Sequence, residues 1–469
     1  MKEMKIERRT YNIAYLILSG IIILFSLFFL YKNGYKLFDI FVALIALALF
    51  LLILHEAIRK LIIYWSSPPV TNPLLLKQKP RSSIKAWAKI AGFVLVFHLL
   101  NLIVAYAVAR LTGRLNTGFF DSLYSIWSKC GIDSPSYLGI AENWYVTEGD
   151  PMYHIVFFPF YPIVIKLFSF VFKDYFVSAL IVSIASSIGM AITGYELVRH
   201  EYSNKTAKHF VIATFLLMGS FFYTAAMTES LFMFLCLLCL YFTKKRNFAA
   251  AGIFGALAAF TRSPGMLLMV PVGIEYVKML IEKVKYKAGY SYAKLIVSAL
   301  FVLFISSGLL VYLYINYKVW GNPLQFSIFQ REHWGQKMGY FVRTIAMISG
   351  NFCGKVAELN SSSAIWDYKT AFALWLPELI AIFGGLGAIA YVRRKINAKY
   401  LCYFLVYFMF TIGATWLLSA PRYLMASAVL PLGLALILST KKHKTVVIGV
   451  MAVLNIAYLI LFAWSSPIY

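Results

Sequence analysis

The chain has 469 residues, of which 61% are hydrophobic and only 13% charged, with a mean hydropathy of +0.75. A soluble globular domain cannot bury so much apolar surface, and many windows reach the roughly 20 apolar residues that cross a bilayer, so an all-α polytopic membrane protein is expected. The formal net charge of +25 would raise nucleic acid as a partner of a soluble protein. In a membrane protein, excess Lys and Arg belong in cytoplasmic loops against anionic headgroups, so membrane lipids are the expected partner and nucleic acid is not.

Tyr11–Tyr31 reads as a first, uncleaved span, and the basic flank Lys2, Lys5, Arg8 and Arg9 places the N-terminus inside. Leu37–Glu56 returns, and a basic stretch with a Ser-Ser-Pro-Pro break follows. Residues 1–66 are therefore expected to form a two-helix appendage and 67–87 a cytoplasmic linker. A transmembrane core over 88–440 and a C-terminal helix over 441–469 complete the organisation. The core begins with an outward span, Lys89–Arg110. A long outer segment, 111–174, comes next; its Pro159 and Pro162 break a regular helix early, so His154–Phe172 reads as re-entrant or lying on the membrane surface. Further spans are expected over 175–198, 207–223, 226–243, 247–261, 265–282, 294–317, 368–390, 400–418, 422–440 and 444–464, for about 13 in all. A second long outer loop covers 318–367. Arg199/Lys205/Lys208, Lys244-Lys245-Arg246, Lys278 to Lys294, Arg393-Arg394-Lys395 and Lys441-Lys442 fall inside in this topology. Of the five cysteines, Cys236 and Cys239 sit mid-span and pack. Cys130 and Cys353 share the outer side, where a disulfide is open to them. No cysteine spacing suggests a metal.

The chemistry-bearing residues gather in the outer segments: Asp121, Asp133, Glu142, Glu148, Asp150 and His154 in the first loop, and Thr228-Glu229-Ser230 in a short turn. Further on are Arg262-Ser263-Pro264-Gly265, then Gln330 to Trp334, then Pro421-Arg422-Tyr423. Carboxylates in an outer loop are commonly just solvated, which suits Asp121, Glu148 and Asp150. Glu229, between two apolar helices, either faces a polar cavity or belongs to an N-cap arrangement around Thr228. Arg262 and Arg422 occupy equally tight turns; they either snorkel to headgroups or clamp a lipid-linked phosphate, which suits the guanidinium fork. Phe157–Pro162 carries two prolines three residues apart, which points to a shaped surface over a substrate groove rather than to an interfacial belt alone. Glu378 lies within a span beside Pro377, and the sequence assigns it no role.

These motifs, in this order, resemble the multi-span GT-C glycosyltransferases, most closely the PIG-V type of GPI mannosyltransferase II and its prokaryotic relatives. The residues that carry the resemblance are Asp133…Tyr137…Ile140-Ala141…Tyr145, Phe157-Phe158-Pro159-Phe160-Tyr161-Pro162, Thr228-Glu229-Ser230-Leu231-Phe232, Arg262-Ser263-Pro264-Gly265 and Pro421-Arg422-Tyr423, over roughly residues 88–440. Ile132, Trp144 and Pro264 stand where the family carries Trp, Gly and Asn. The resemblance implies a GT-C fold with a catalytic first outer loop containing membrane-surface helices. It also implies an inverting transfer of a sugar, mannose in the nearest relatives, from a polyprenyl-phosphate carrier to a glycan, glycolipid or protein hydroxyl. The active site would lie on the outer face, of the plasma membrane in a prokaryotic host. By position Asp133 becomes the base, with Tyr137, Glu142, His154, Glu229, Arg262, Gln330, Trp334 and Arg422 binding substrate. No cofactor or divalent metal is expected. The chemistry of the residues agrees: forming a glycosidic bond needs a carboxylate to take the hydroxyl proton, and a departing lipid phosphate needs cations. Two alternative readings stand beside it, a transporter of lipids or sugar-lipids and a transferase of pyrophosphate-linked oligosaccharides.

Overall fold

The computed structural model describes residues 2–69, 82–113, 118–127, 132–359, 365–440, 444–464 and 467–468. Cys130, most of the 67–87 linker and Lys441-Lys442 lie outside the described residues, as do the side chains of Lys2, Lys5, Arg8 and Arg9. The described chain is all-helical, and no strand is present among its elements. Cys353 carries a free thiol.

Two long helices open the chain, α1 (Lys2–Lys32) and α2 (Leu37–Ser66), followed by α3 (Ile84–Leu111). The outer segment forms α4 (Phe119–Trp127), α5 (Ser134–Asn143), a 3₁₀ turn over Asp150–Val156 and α6 (Phe160–Phe172). The last two are bent by 112° to each other, as expected of a chain interrupted at Pro159 rather than crossing straight. Next come α7 (Tyr175–Glu201), α8 (Asn204–Leu216), α9 (Glu229–Lys244) and α10 (Phe248–Thr261). Polar residues start several of these helices by accepting a first-turn N–H: Asp174 from Val177, Ser203 from Thr206 and Asn247 from Ala250. Each such cap contributes about 1 kcal/mol. A 3₁₀ turn, Ser263–Leu268, leads into α11 (Met269–Tyr286), and a bent pair follows, α12 (Tyr292–Phe304) and α13 (Ser307–Trp320). The chain closes with α14 (Gln325–His333), α15 (Phe341–Glu358), α16 (Ile365–Val392, with a π turn at Thr370–Trp375), α17 (Ala398–Ile412), α18 (Ala420–Met425), α19 (Val429–Thr440) and α20 (Lys444–Ala463).

Among the described residues seven helices are long and apolar enough to cross a membrane, or nine if each bent pair is one span. The protein is an integral, multi-pass membrane protein. The difference from about thirteen has a physical cause. Helices α8, α9, α10, α17 and α19 have 13, 16, 14, 15 and 12 residues, and at 1.5 Å per residue these rise only about 18–24 Å, short of a ~30 Å hydrocarbon layer; the bent pair Asp150–Val156 with Phe160–Phe172, not expected to cross, is one of the nine. Several of them stop short at the same end of the bundle. The freed chain there forms the 3₁₀ turns Ser220–Tyr223 and Ser263–Leu268 and the six-residue helix α18.

Residues 1–66 do not stand apart. Helix α2 packs against α15, α16 and α17; Asp39 accepts from Ser349 at 2.7 Å and Tyr64 donates to Glu275 at 2.9 Å. A sequence pattern shows the apolar lengths of two helices but not which neighbours receive their faces. At the end of the bundle away from the short turns, the basic loops expected to lie together do meet. Arg246 bridges Glu282 at 2.6 Å, while Lys399 bridges Glu201 at 3.0 Å and Glu275 at 3.2 Å.

Candidate active site

Asp133 stands at the start of α5, whose first turn holds Pro135. An aspartate here ordinarily caps the helix. Its side chain makes no capping bond; instead Oδ2 accepts from Nη1 of Arg422 at 2.7 Å. Arg422 comes from α18, 289 residues away in sequence. Its Nε lies 3.6 Å from Oε1 of Glu229. The same Glu229 oxygen accepts from Nη1 of Arg262, which also donates to Thr228 Oγ1 at 2.9 Å. One chain of charges thus runs Asp133–Arg422–Glu229–Arg262. Tyr423 lies against both guanidinium groups, at 5.3 and 5.4 Å, within cation–π range.

Local backbone explains why these side chains converge. Glu229 is the first residue of α9 and fully buried; a carboxylate is favourable at a helix N-terminus. Thr228 makes no capping bond, so the N-cap arrangement is not what holds Glu229. Arg262 is the extended break between α10 and the turn that follows. That turn folds back so closely that a Cβ on Gly265 would lie 2.3 Å from the Ala258 backbone. Gly219, with φ of +88°, makes the turn that seats Ser220–Tyr223 against Pro421. Neither arginine turns outward to headgroups: their side chains are only 6% (Arg422) and 13% (Arg262) exposed. Buried Glu378 of α16 accepts the Ala420 N–H with both oxygens, at 2.8 and 2.9 Å, and so pins the first residue of the helix that carries Arg422.

Asp133 and the two arginines open onto one cavity of about 570 Å³, within the roughly 300–1,000 Å³ range of small-ligand sites. Asp133, Tyr137, Arg262 and Arg422 line it, together with Val156, Phe157 and Phe158. The aromatic segment is fixed from behind: Tyr145 donates to Phe157 O and Tyr312 to Ile155 O, both at 2.6 Å. Tyr137 packs edge-on to Phe157 and Tyr161. Burial pushes its phenol well above the ordinary value, so at neutral pH it keeps its proton and does not serve as a base.

Of the residues singled out from sequence, Asp133, Tyr137, Arg262, Gln330, Trp334 and Arg422 share the cavity. Glu229 does not line it; it lies beneath, between the arginines. Glu142 is exposed, and His154, half-buried against Gly139, is not in the lining either. Asp121, Glu148 and Asp150 are exposed. Sequence reasoning missed Trp416, Gln336, Lys337 and Ser419, which also line the cavity. Only the length of the second outer loop and the shortness of the turn before Pro421 hinted at them. Among the described residues no three His, Cys, Asp or Glu side chains meet in a way that would hold a metal ion.

No protein-family model matches this chain, and no curated protein matches it. Among solved structures it is similar to ArnT from Cupriavidus metallidurans bound to undecaprenyl phosphate, at 15% identity and a TM-score of 0.43 over 75% of this chain and 61% of that one. It is also similar to ArnT from the same organism in the apo state, at 14% identity and a TM-score of 0.46 over 77% and 62%. The chain thus spans less than two thirds of the length of these structures. At these values the likeness carries no assignment of chemistry.

Proposed function

We propose that this protein is an inverting membrane glycosyltransferase of the GT-C type. It moves a sugar from a polyprenyl-phosphate carrier to an acceptor hydroxyl on the non-cytoplasmic side, and the motif resemblance favours mannose. The observation that carries the reading is the convergence of Asp133, Arg262 and Arg422 on one cavity at the end of the bundle where the helices stop short. In the transfer, the acceptor oxygen attacks the anomeric carbon from the face opposite the carrier. The bond from that carbon to the phosphate oxygen breaks, and its electron pair leaves with the polyprenyl phosphate. The hydroxyl proton passes to the Asp133 carboxylate. Arg262 and Arg422 stabilise the charge that grows on the departing phosphate.

Each arginine reaches the cavity already paired with a carboxylate. This holds the guanidinium groups in place without a net charge that would have to be hydrated. An incoming phosphate competes with Asp133 for Arg422, so donor binding itself releases the base. Purified protein in nanodiscs, given polyprenyl-phosphate-mannose and an extract of glycolipids, is expected to release free polyprenyl phosphate. The reading is lost if no sugar on a monophosphate carrier is turned over while a pyrophosphate-linked donor is.

A further inference from the structure

We propose that the rim where Gly335–Gly339 meets Gly413–Trp416 is the acceptor subsite, and that it takes a neutral sugar ring, as in a glycan or glycolipid, rather than a polypeptide hydroxyl. This rests on the glycosyltransferase reading for the word acceptor, but not for the binding itself.

The rim is a built feature. Gly339 N–H donates to Gly413 O at 2.7 Å, Thr415 N–H to Lys337 O at 2.9 Å, and Lys337 N–H to Thr415 Oγ1 at 2.9 Å. The Gln336 amide reaches Trp416 O at 3.4 Å. Two outer segments nearly 80 residues apart are thereby held as one wall of the cavity that Asp133 also lines.

Its surface has the chemistry of a carbohydrate site. A pyranose presents flat patches of C–H and a girdle of hydroxyls that donate and accept at once. Trp334 and Trp416 supply flat apolar faces. Trp334 is braced by His333 at 4.4 Å and Tyr153 at 5.9 Å, and those two rings are themselves stacked at 3.9 Å. Trp416 is 42% exposed and has no ring partner among the described residues, so its face is available. Gln330 and Gln336 carry amides with both donor and acceptor ends, and Ser327 adds a hydroxyl. The rim contributes one cation, Lys337, and no carboxylate to the lining, which suits an uncharged ligand. An extended peptide would instead seek main-chain partners, and the Lys337, Gly339 and Thr415 N–H groups are already engaged within the rim.

Saturation-transfer NMR on the purified full chain tests this without turnover. The probes are methyl glycosides of mannose, glucose and galactose, with an acetylated Ser/Thr peptide as comparison. At least one glycoside is expected to receive saturation from the unmutated protein. Its apparent affinity should fall about tenfold in Trp416→Ala and in Gln330→Ala, while the peptide stays silent. Trp416 is half-exposed, so truncating it opens no core; should it nonetheless unfold the protein, Gln330→Ala carries the test. The proposal is overturned if no glycoside binds, if the peptide binds in preference, or if the variants bind glycosides as well as the unmutated protein. Donor cleavage measured on the same preparation keeps the two ideas apart. Glycoside binding with no cleavage removes the transferase reading and leaves the rim; cleavage with no rim binding does the reverse.

Discussion

Arg422 touches both carboxylates of the site, Asp133 at 2.7 Å and Glu229 at 3.6 Å, and its position depends on both. Glu229 is the more consequential partner, because Arg262 leans on the same oxygen. Removing one member of a buried ion pair typically costs about 3–5 kcal/mol, since the remaining charge is left unpaired. Glu229→Gln is therefore expected to lower the unfolding temperature in detergent and to cut transfer at least tenfold. A variant with unchanged melting and turnover would remove Glu229 from this role. At this scale the sequence singled out six residues that the structure brings to one cavity, Asp133, Tyr137, Arg262, Gln330, Trp334 and Arg422, and was silent about how the charged ones pair. Ionisable groups in very short turns between apolar helices stand out by their cost. Yet Glu229 read as facing a polar cavity or as part of an N-cap arrangement around Thr228, while the structure puts it under the arginines. Its partners lie 33 residues away and further, a separation no local pattern encodes.

The elements that matter most are the short ones. Helix α18 has only six residues, and little of its own propensity holds it; the Glu378 carboxylate fixes its first N–H. Glu378→Gln leaves an amide where two acceptors stood. It is expected to reduce kcat for transfer about tenfold with little change in donor KM, and Glu378→Asp should restore part of it. Equal loss in both variants, tracking the fraction unfolded, would assign Glu378 a structural role only. Gly265 acts likewise through contact with the α10 backbone: Gly265→Ala must push the Arg262 turn away, so donor affinity should fall, as measured by competition with polyprenyl phosphate. Proline and glycine at Pro159, Pro264 and Gly265 made these breaks legible, and the bend at Pro159 follows from them. The length of α10 was legible, since the expected 247–261 matches Phe248–Thr261; the shortness of α8, α17 and α19 was not, because the apolar runs there continue past the helix ends.

Across the whole molecule the two ends do different work. One end is opened by short helices and holds the cavity. The other is tied by Arg246, Lys399, Glu201, Glu275 and Glu282. Lys399→Ala would leave two buried carboxylates short of a partner, so melting should drop markedly while turnover per folded molecule stays near normal; a selective loss of turnover would contradict that division. Helix α2 belongs to this frame, and a chain lacking residues 1–66 is expected to elute as aggregate rather than as a single species on size exclusion. Composition made the membrane class plain, and basic loops correctly foretold which ends lie together, but the docking of α2 depends on packing faces that hydropathy does not resolve. The most direct test of the account compares unmutated protein with Asp133→Asn, both folded by thermal melt, in the release of polyprenyl phosphate from polyprenyl-phosphate-mannose in nanodiscs. Release is expected from the first and a loss of at least a hundredfold in the second, with donor binding retained; equal release by both would remove Asp133 as the base and contradict the mechanism.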